Sequence, residues 1–287
     1  MNCAIIKNGF YFGVSLETQI QTLTAALTKR GVKTDVLTTD KVLGYIDETA
    51  KTNIGEYDFI VYLDKDPYLS VLLEKSGYKL VNSAKSIELC DDKMKTYLAL
   101  YPFVRVPKTI FSPLNYTNKT DDFYKEVEKF ISYPIVVKEV YGSMGRGVYL
   151  AKTQEELEKL HKELNFKPHV FQEFIGKGGE DTRVIVIGGK AQAAMKRVNE
   201  KDFRSNVELG GVGIKADVSG EEAKLAEKCA KILDLDYCGV DILSDEKGLC
   251  VCEVNSNAFW NGIVKATGVD VAGVYADYLV SKFAVKN

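Results

Sequence analysis

The chain has 287 residues, 46% of them hydrophobic and 27% charged, with a formal net charge of −2. These values suit a folded soluble protein of about two domains and give no electrostatic reason to expect a nucleic-acid or membrane partner, so any positive patch must be local. No apolar run approaches the ~18 residues of a membrane span, and Met1 to Gly9 reads as a first strand rather than a secretory signal, which makes a cytoplasmic protein the expectation. The six cysteines, Cys3, Cys90, Cys229, Cys238, Cys250 and Cys252, contain no C-x-x-C pair, so a reduced compartment is the simpler assumption. The two histidines, His161 and His169, fall in a charged helix and a pre-strand loop without a nucleophilic partner. Chemistry must then run on carboxylates, lysines, arginines and metal.

In chain order, the first third alternates strand and helix. Residues 3–6 form a short apolar run, and Ser15 is expected to cap a helix that carries Ile20, Leu23 and Leu27 and stops at Gly31. Val36 and Leu37, then the run 58–63, supply further strands. An amphipathic stretch at 69–75 ends at Gly77, with Leu80 and Val81 behind it. This alternation predicts a small parallel α/β unit through about residue 85. Beyond Asn82, Ser83 and Asp91 or Asp92 look like caps of successive helices, the second carrying Lys93, Met94, Tyr97 and Leu98.

Prolines hold 102–113 extended, and 121–131 returns to helical spacing. Residues 135–138 and 148–150 make a hairpin about a glycine-rich turn, followed by a charged helix at 153–164. The last third is strand-rich, at 170–175, 183–187 and 191–198, with a helix at 221–233 capped by Ser219 and another at 271–283. The loop 199–213 is long and glycine-bearing, which favours a functional loop over a plain connection. Two apolar runs, 238–243 and 249–255, joined through Asp245-Glu246-Lys247-Gly248, read as an antiparallel ribbon.

That ribbon carries the chemistry. Side chains alternate along a strand, so Glu253 and Asn255 emerge on one face and Asp241 faces them from the partner strand. Acidic residues inside apolar strands need compensation, so surface decoration does not explain them. Three oxygen donors converging on one point describe a hard-cation site, most naturally Mg²⁺ left partly open for phosphate oxygens. By the same alternation Cys250 and Cys252 fall on the opposite face as small buried hydrophobes. Between the hairpin strands, Lys138 precedes Gly142-Ser143-Met144-Gly145-Arg146-Gly147. Glycines let backbone N–H groups approach phosphate, and a lysine adds a compact charge. The string is not G-x-x-x-x-G-K-[ST], so a P-loop is excluded. Alone, this hairpin also fits an ordinary mobile turn.

The order of parts makes it more. Lys93 on a helix, Lys138 with the glycine hairpin, Gln172-Glu173-Phe174-Ile175 at a strand end, Asp181-Thr182-Arg183, Phe203-Arg204-Ser205-Asn206, Gly239-Val240-Asp241-Ile242-Leu243 and Glu253-Val254-Asn255 follow one another between residues 82 and 273. This order resembles the ATP-grasp superfamily, in its branch of ribosomal-protein glutamate ligases and related amino-acid ligases. The resemblance implies an α/β and α+β fold: an N-terminal parallel α/β domain (1–85) before two α+β lobes (86–170 and 171–287) that enclose the nucleotide.

It also implies roles. Lys93, Lys138 and Ser143 would meet the nucleotide phosphates. Gln172, Glu173, Phe174 and Ile175 would border the adenine, and Asp181, or else Glu180, the ribose hydroxyls. Asp241, Glu253 and Asn255 would hold one or two Mg²⁺, with Mn²⁺ an alternative. Arg197 and Arg204 would neutralise charge as the terminal phosphoryl group moves. Where relatives carry a proline-containing turn after the metal strand, this chain has Ala258, followed by Phe259 and Trp260, which fit core packing and pocket lining equally. The expected activity is an ATP-dependent carboxylate–amine ligase working through an acyl phosphate, with ATP, a carboxylate and an amino-acid amine as partners and homo-oligomerisation left open. A phosphotransferase on the same scaffold and a non-catalytic nucleotide-binding regulator are the alternatives.

Overall fold

Four strands pair in parallel at the N-terminus of the computed structural model, which describes residues 1–117 and 122–284. They are β1 (Asn2–Lys7), β2 (Lys33–Thr38), β5 (Phe59–Leu63) and β6 (Leu80–Val81), in the order β2-β1-β5-β6. A small antiparallel hairpin, β3 (Gly44–Asp47) with β4 (Thr49–Thr52), lies between β2 and β5 and was not anticipated from sequence. β5 is apolar and buried along its whole length, as a central parallel strand covered on both faces should be. Helix α1 (Val14–Thr28) buries Leu16, Ile20, Leu23 and Leu27, a three-to-four-residue spacing that makes one apolar stripe. Its N-cap is Gly13, so Ser15, the expected cap, lies inside the first turn. Helix α2 (Pro67–Lys75) starts on Asp66, whose carboxylate accepts from the N–H groups of Tyr68 and Leu69.

Helices α3 (Ala84–Asp91) and α4 (Lys93–Leu100) follow, capped by Ser83 and Asp92 respectively. The next sheet is antiparallel, in the order β7-β10-β8-β9, from β7 (Thr109–Phe111), β8 (Ile135–Glu139), β9 (Val148–Ala151) and β10 (His169–Glu173). One face packs on α5 (Phe123–Glu128) and α6 (Gln154–Glu163), burying Tyr124, Val127, Leu157 and Phe171. Asp121, the expected start of α5, lies outside the described residues. His169 opens β10 rather than sitting in a loop, and its ring Nε2 lies 3.2 Å from His161 Nδ1 within this core.

The largest sheet, β13-β12-β11-β14-β15, is antiparallel. Its strands are β11 (Glu180–Ile187), β12 (Lys190–Val198), β13 (Val212–Lys215), β14 (Tyr237–Asp245) and β15 (Gly248–Asn255). Alternation sorts its two faces cleanly. Val184, Val186, Ala194 and Val240 meet α7 (Glu221–Ile232), whereas Ile185, Ile187, Ala193 and Met195 share a core with residues of the N-terminal sheet, α1 and α9 (Val271–Phe283). Strand β13 and helix α8 (Asn261–Thr267) are additions to the expected elements. Helix α7 begins at Gly220 with no side-chain cap, and Ser219, expected there, bonds Asp217 instead.

Two features position the site. Asn82 is buried between the N-terminal sheet and β14: its amide donates to the carbonyls of Tyr237 and Ser256 at 2.8 Å each and accepts from the N–H groups of Asp236 and Tyr237. Second, the β14–β15 ladder contains a bulge. Asp241 pairs with Glu253 and Ile242 with Val251, which leaves Cys252 as the extra residue.

Candidate active site

The antiparallel sheet of β8 roofs the floor formed by β11, β12, β14 and β15, and the expected site residues converge in the cleft between them. Lys93, Lys138, Ser143, Gln172, Glu173, Phe174, Ile175, Asp181, Arg197, Arg204, Asp241 and Glu253 all line it. Asn255 lies on the wall of an adjoining cavity of about 430 Å³, and Glu253 borders both.

Lys93, the first residue of α4 and held there by the Asp92 cap, reaches up to the roof turn. Its ammonium donates to the carbonyls of Gly142 (3.0 Å) and Val140 (3.4 Å) and lies 3.8 Å from Glu253 Oε1. Burial pulls its pKa below the ordinary lysine range, against the opposing pull of Glu253. Lys138, also buried, reaches Cys252 Sγ at 3.4 Å. The glycine turn needs its glycines: Gly145 and Gly147 have φ of +72° and +70°. Arg204 Nη1 donates to Gly145 O at 2.9 Å, and the Tyr11 hydroxyl lies 3.6 Å from Met144 Sδ, so the turn is tied down from both sides. At the strand end, Gln172 donates to Thr109 Oγ1 and Glu173 accepts from the N–H of Lys108.

On the floor the charges are already paired. Asp241, 2% exposed, takes a two-pronged bond from Arg183 (2.7 Å and 2.7 Å) and a contact from Arg197 at 2.8 Å. Arg197, 1% exposed, also bonds both oxygens of Asp181. Burial alone would raise the Asp241 carboxyl, but Arg183 and Arg197 outweigh it and bring it down to about 2. Arg204 is paired with Asp202, while Glu180 is exposed and pairs with Lys196. Thus Asp181 and Arg197, expected to meet ribose and phosphate, also form one ionic lattice with Asp241 and Arg183.

Sequence reasoning did not assign Arg183, although it shares a strand face with Asp181 two residues away. Nor did it find Asn8, Tyr11, Asp64 and Lys65, which reach the second cavity from the ends of β1 and β5. Those residues form no local motif; only the carboxyl ends of parallel strands mark them. Cys252 was expected opposite Glu253, but the bulge turns it into the same cleft. Cys250 is in the core as expected. Trp260 is core, packed on Tyr237 and Tyr275, whereas Phe259 lines the second cavity.

The donor set fits a hard cation. Two carboxylates and one amide offer only oxygen. Glu253 is 26% exposed toward the cleft, and Asp241 Oδ1 carries one of the three arginine bonds, which leaves lone-pair capacity for a further partner. Asp241, Glu253 and Asn255 would hold such an ion.

An α+β pair of sheets closing on lysines from one side and acids from the other defines the ATP-grasp class. Residues 83–279 match the RimK-like ATP-grasp domain, and the chain belongs to that family. It is 38% identical over 218 residues to a probable alpha-L-glutamate ligase of Aliivibrio fischeri (strain MJ11), covering 74% of this chain and 71% of that protein. It is 35% identical over 229 residues to beta-citrylglutamate synthase B of Homo sapiens, covering 77% of this chain but 58% of that protein. The ATP-grasp ligase PsnB, solved in complex with minimal precursor, Mg and ADP, superposes with a TM-score of 0.71 over 98% of this chain and 97% of that one; at 20% identity this speaks for the fold alone. Among the described residues, no helix is long and apolar enough to cross a membrane.

Proposed function

We propose that this protein is an ATP-dependent carboxylate–amine ligase that forms an amide or peptide bond through an acyl phosphate. The observation that carries the reading is Glu253, which stands at the junction of the lysine- and arginine-lined cleft and a second, cation-walled cavity. Names of relatives that make glutamyl products support glutamate, or a similar amino acid, as the amine donor to a small molecule, peptide or protein.

In this reading Lys93, Lys138 and Ser143 bind the phosphates, with Gln172, Glu173, Phe174 and Ile175 around the adenine and Asp181 beside the ribose. One or two Mg²⁺, or Mn²⁺, held by Asp241, Glu253 and Asn255, supply electrostatic stabilisation to the phosphates. An acceptor carboxylate oxygen attacks the terminal phosphorus, the bond to the bridging oxygen breaks, and ADP leaves with that electron pair. The amine then attacks the acyl carbon, phosphate departs, and the amine gives up its proton. Arg197 steadies Asp241 and Asp181 against the developing charge, and Arg204 holds the glycine turn over it. The roof and the loop at 199–213 exclude water, which would hydrolyse the acyl phosphate. The parts act as an N-terminal domain (1–85) and two lobes (86–170 and 171–287). A net charge of −2 favours neither nucleic acid nor membrane as partner.

Hydroxylamine trapping tests this. Protein, Mg²⁺, ATP and a panel of mono-, di- and tricarboxylates should yield ADP and a hydroxamate from one of them. A stable phosphorylated hydroxyl product would identify a kinase instead, and nucleotide binding without any ADP release a non-catalytic regulator.

A further inference from the structure

The cations of the site are unequally committed. Arg183 and Arg197 are bonded to Asp241 and Asp181, Arg204 to Asp202, Lys65 to Asp91 at 2.7 Å, and Lys93 lies against Glu253. Lys138 lines the nucleotide cleft but not the second cavity. Arg146, at the tip of the glycine turn, lines both, and it is the cation that does so among the described residues. It is exposed, and no carboxylate among the described residues lies within ion-pair distance of it. Its mount is nonetheless fixed: its N–H closes the turn onto Ser143 O at 3.1 Å, and Arg204 and Tyr11 tether the residues before it.

We infer that Arg146 is a catalytic residue of the phosphoryl-transfer step, its guanidinium bridging the terminal phosphoryl group and the acceptor carboxylate. The inference rests on the ligase reading above. Two anions must approach each other for the carboxylate oxygen to attack phosphorus. A cation already spent on a buried carboxylate cannot screen that approach without leaving its partner bare. An unpaired guanidinium is always protonated and presents a planar fork that matches one oxygen from each reactant. It therefore screens the approach and gives up no proton of its own.

The test compares Arg146→Gln and Arg146→Lys with the wild type. Binding of Mg-ADP and Mg-AMPPNP, measured by calorimetry, separates contact with the terminal phosphoryl group from general nucleotide binding. Arg146→Gln should leave ADP affinity within about twofold of wild type but weaken AMPPNP by about tenfold or more, the scale of one charge-assisted contact. In the hydroxylamine assay its kcat should fall about 10²–10³-fold, as for loss of one transition-state donor, with partial recovery in Arg146→Lys. An AMPPNP-to-ADP affinity ratio equal to wild type overturns the assignment, as does a near-wild-type kcat. Wild-type protein that forms no hydroxamate with any acceptor sinks the ligase reading, whereas the affinity ratio still judges Arg146. Unchanged urea midpoints in both variants keep misfolding out of the comparison.

Discussion

Floor and roof both bring cations to the cleft, but they hold them by different means. Arg183 and Arg197 on the floor are locked to the carboxylates of Asp181 and Asp241 beneath the surface. At the roof, by contrast, Lys93 and the floor-side Arg204 direct donors at the turn carbonyls of Val140, Gly142 and Gly145. A carboxylate stripped of its arginine is a buried bare charge, whereas a turn carbonyl returned to the cleft can meet water or ligand at little cost. The floor is thus built to stay and the roof to exchange partners: donors aimed at turn carbonyls can swing to another oxygen acceptor without stripping a fully buried carboxylate.

The contrast can be broken most forcefully at the floor. Asp241→Ala leaves two buried guanidiniums without their shared carboxylate, and urea unfolding should register a loss of about 3–5 kcal/mol. A loss under about 1 kcal/mol, the range of a surface pair, would remove the distinction. Because the Asp241 carboxyl is depressed to about 2, its contribution is complete above the ordinary aspartate pKa and drains away as pH falls from there toward about 2; an Asp241→Asn protein should lack this acid-limb loss in pH-dependent urea midpoints.

Roof changes should be milder in stability and register mainly in binding. In Gly145→Ala a Cβ would meet Asn206 Oδ1 and a Leu209 methyl at 2.9 Å, in a backbone with φ of +72°. The expected cost is about 1 kcal/mol or somewhat more, with ADP affinity reduced about tenfold through the displaced turn. Lys93 gives a pH signature: with its pKa pulled down by burial, ADP affinity should begin to weaken on alkalinisation earlier than surface lysines titrate. Calorimetry on Lys93→Met, which cannot titrate, should give a flat profile over the same interval. The smallest effect concerns Cys252. It is the cysteine least enclosed, since Cys3, Cys90, Cys229, Cys238 and Cys250 are all buried. Burial also raises its thiol, so a maleimide should label it slowly at neutral pH, faster in alkali, and not at all under saturating ADP. Labelling indifferent to ADP would mean that the bulge does not present it to the nucleotide.

What could be read beforehand followed from local rules. Buried acids in apolar strands, caps such as Ser83 and Asp92, and the glycine turn each carry their meaning within a few residues. The Cys252 placement failed because alternation assumes an unbroken ladder, and a bulge depends on how two strands pair rather than on either alone. Arg183 was visible by period two from Asp181 but had no chemistry until its partner on β14 was known. Ser15 and Ser219 are good caps by composition, yet neighbouring glycines took the positions. Asn8 and Lys65 belong to the site through topology, which no short window reveals.

Asn82 and the apolar contacts beside it have a practical consequence. Trp260 donates to Thr22, Arg30 in the turn after α1 clasps Asp277 on α9, and Tyr237 and Tyr275 share a core with Ile5, Leu23 and Phe59. A fragment trimmed to 83–279 would lose Asn82 and all of α1, exposing those aromatic rings to solvent. The nucleotide-handling part of this molecule therefore cannot be cut free as a minimal unit, and recombining it with a foreign front end would require a matching underside.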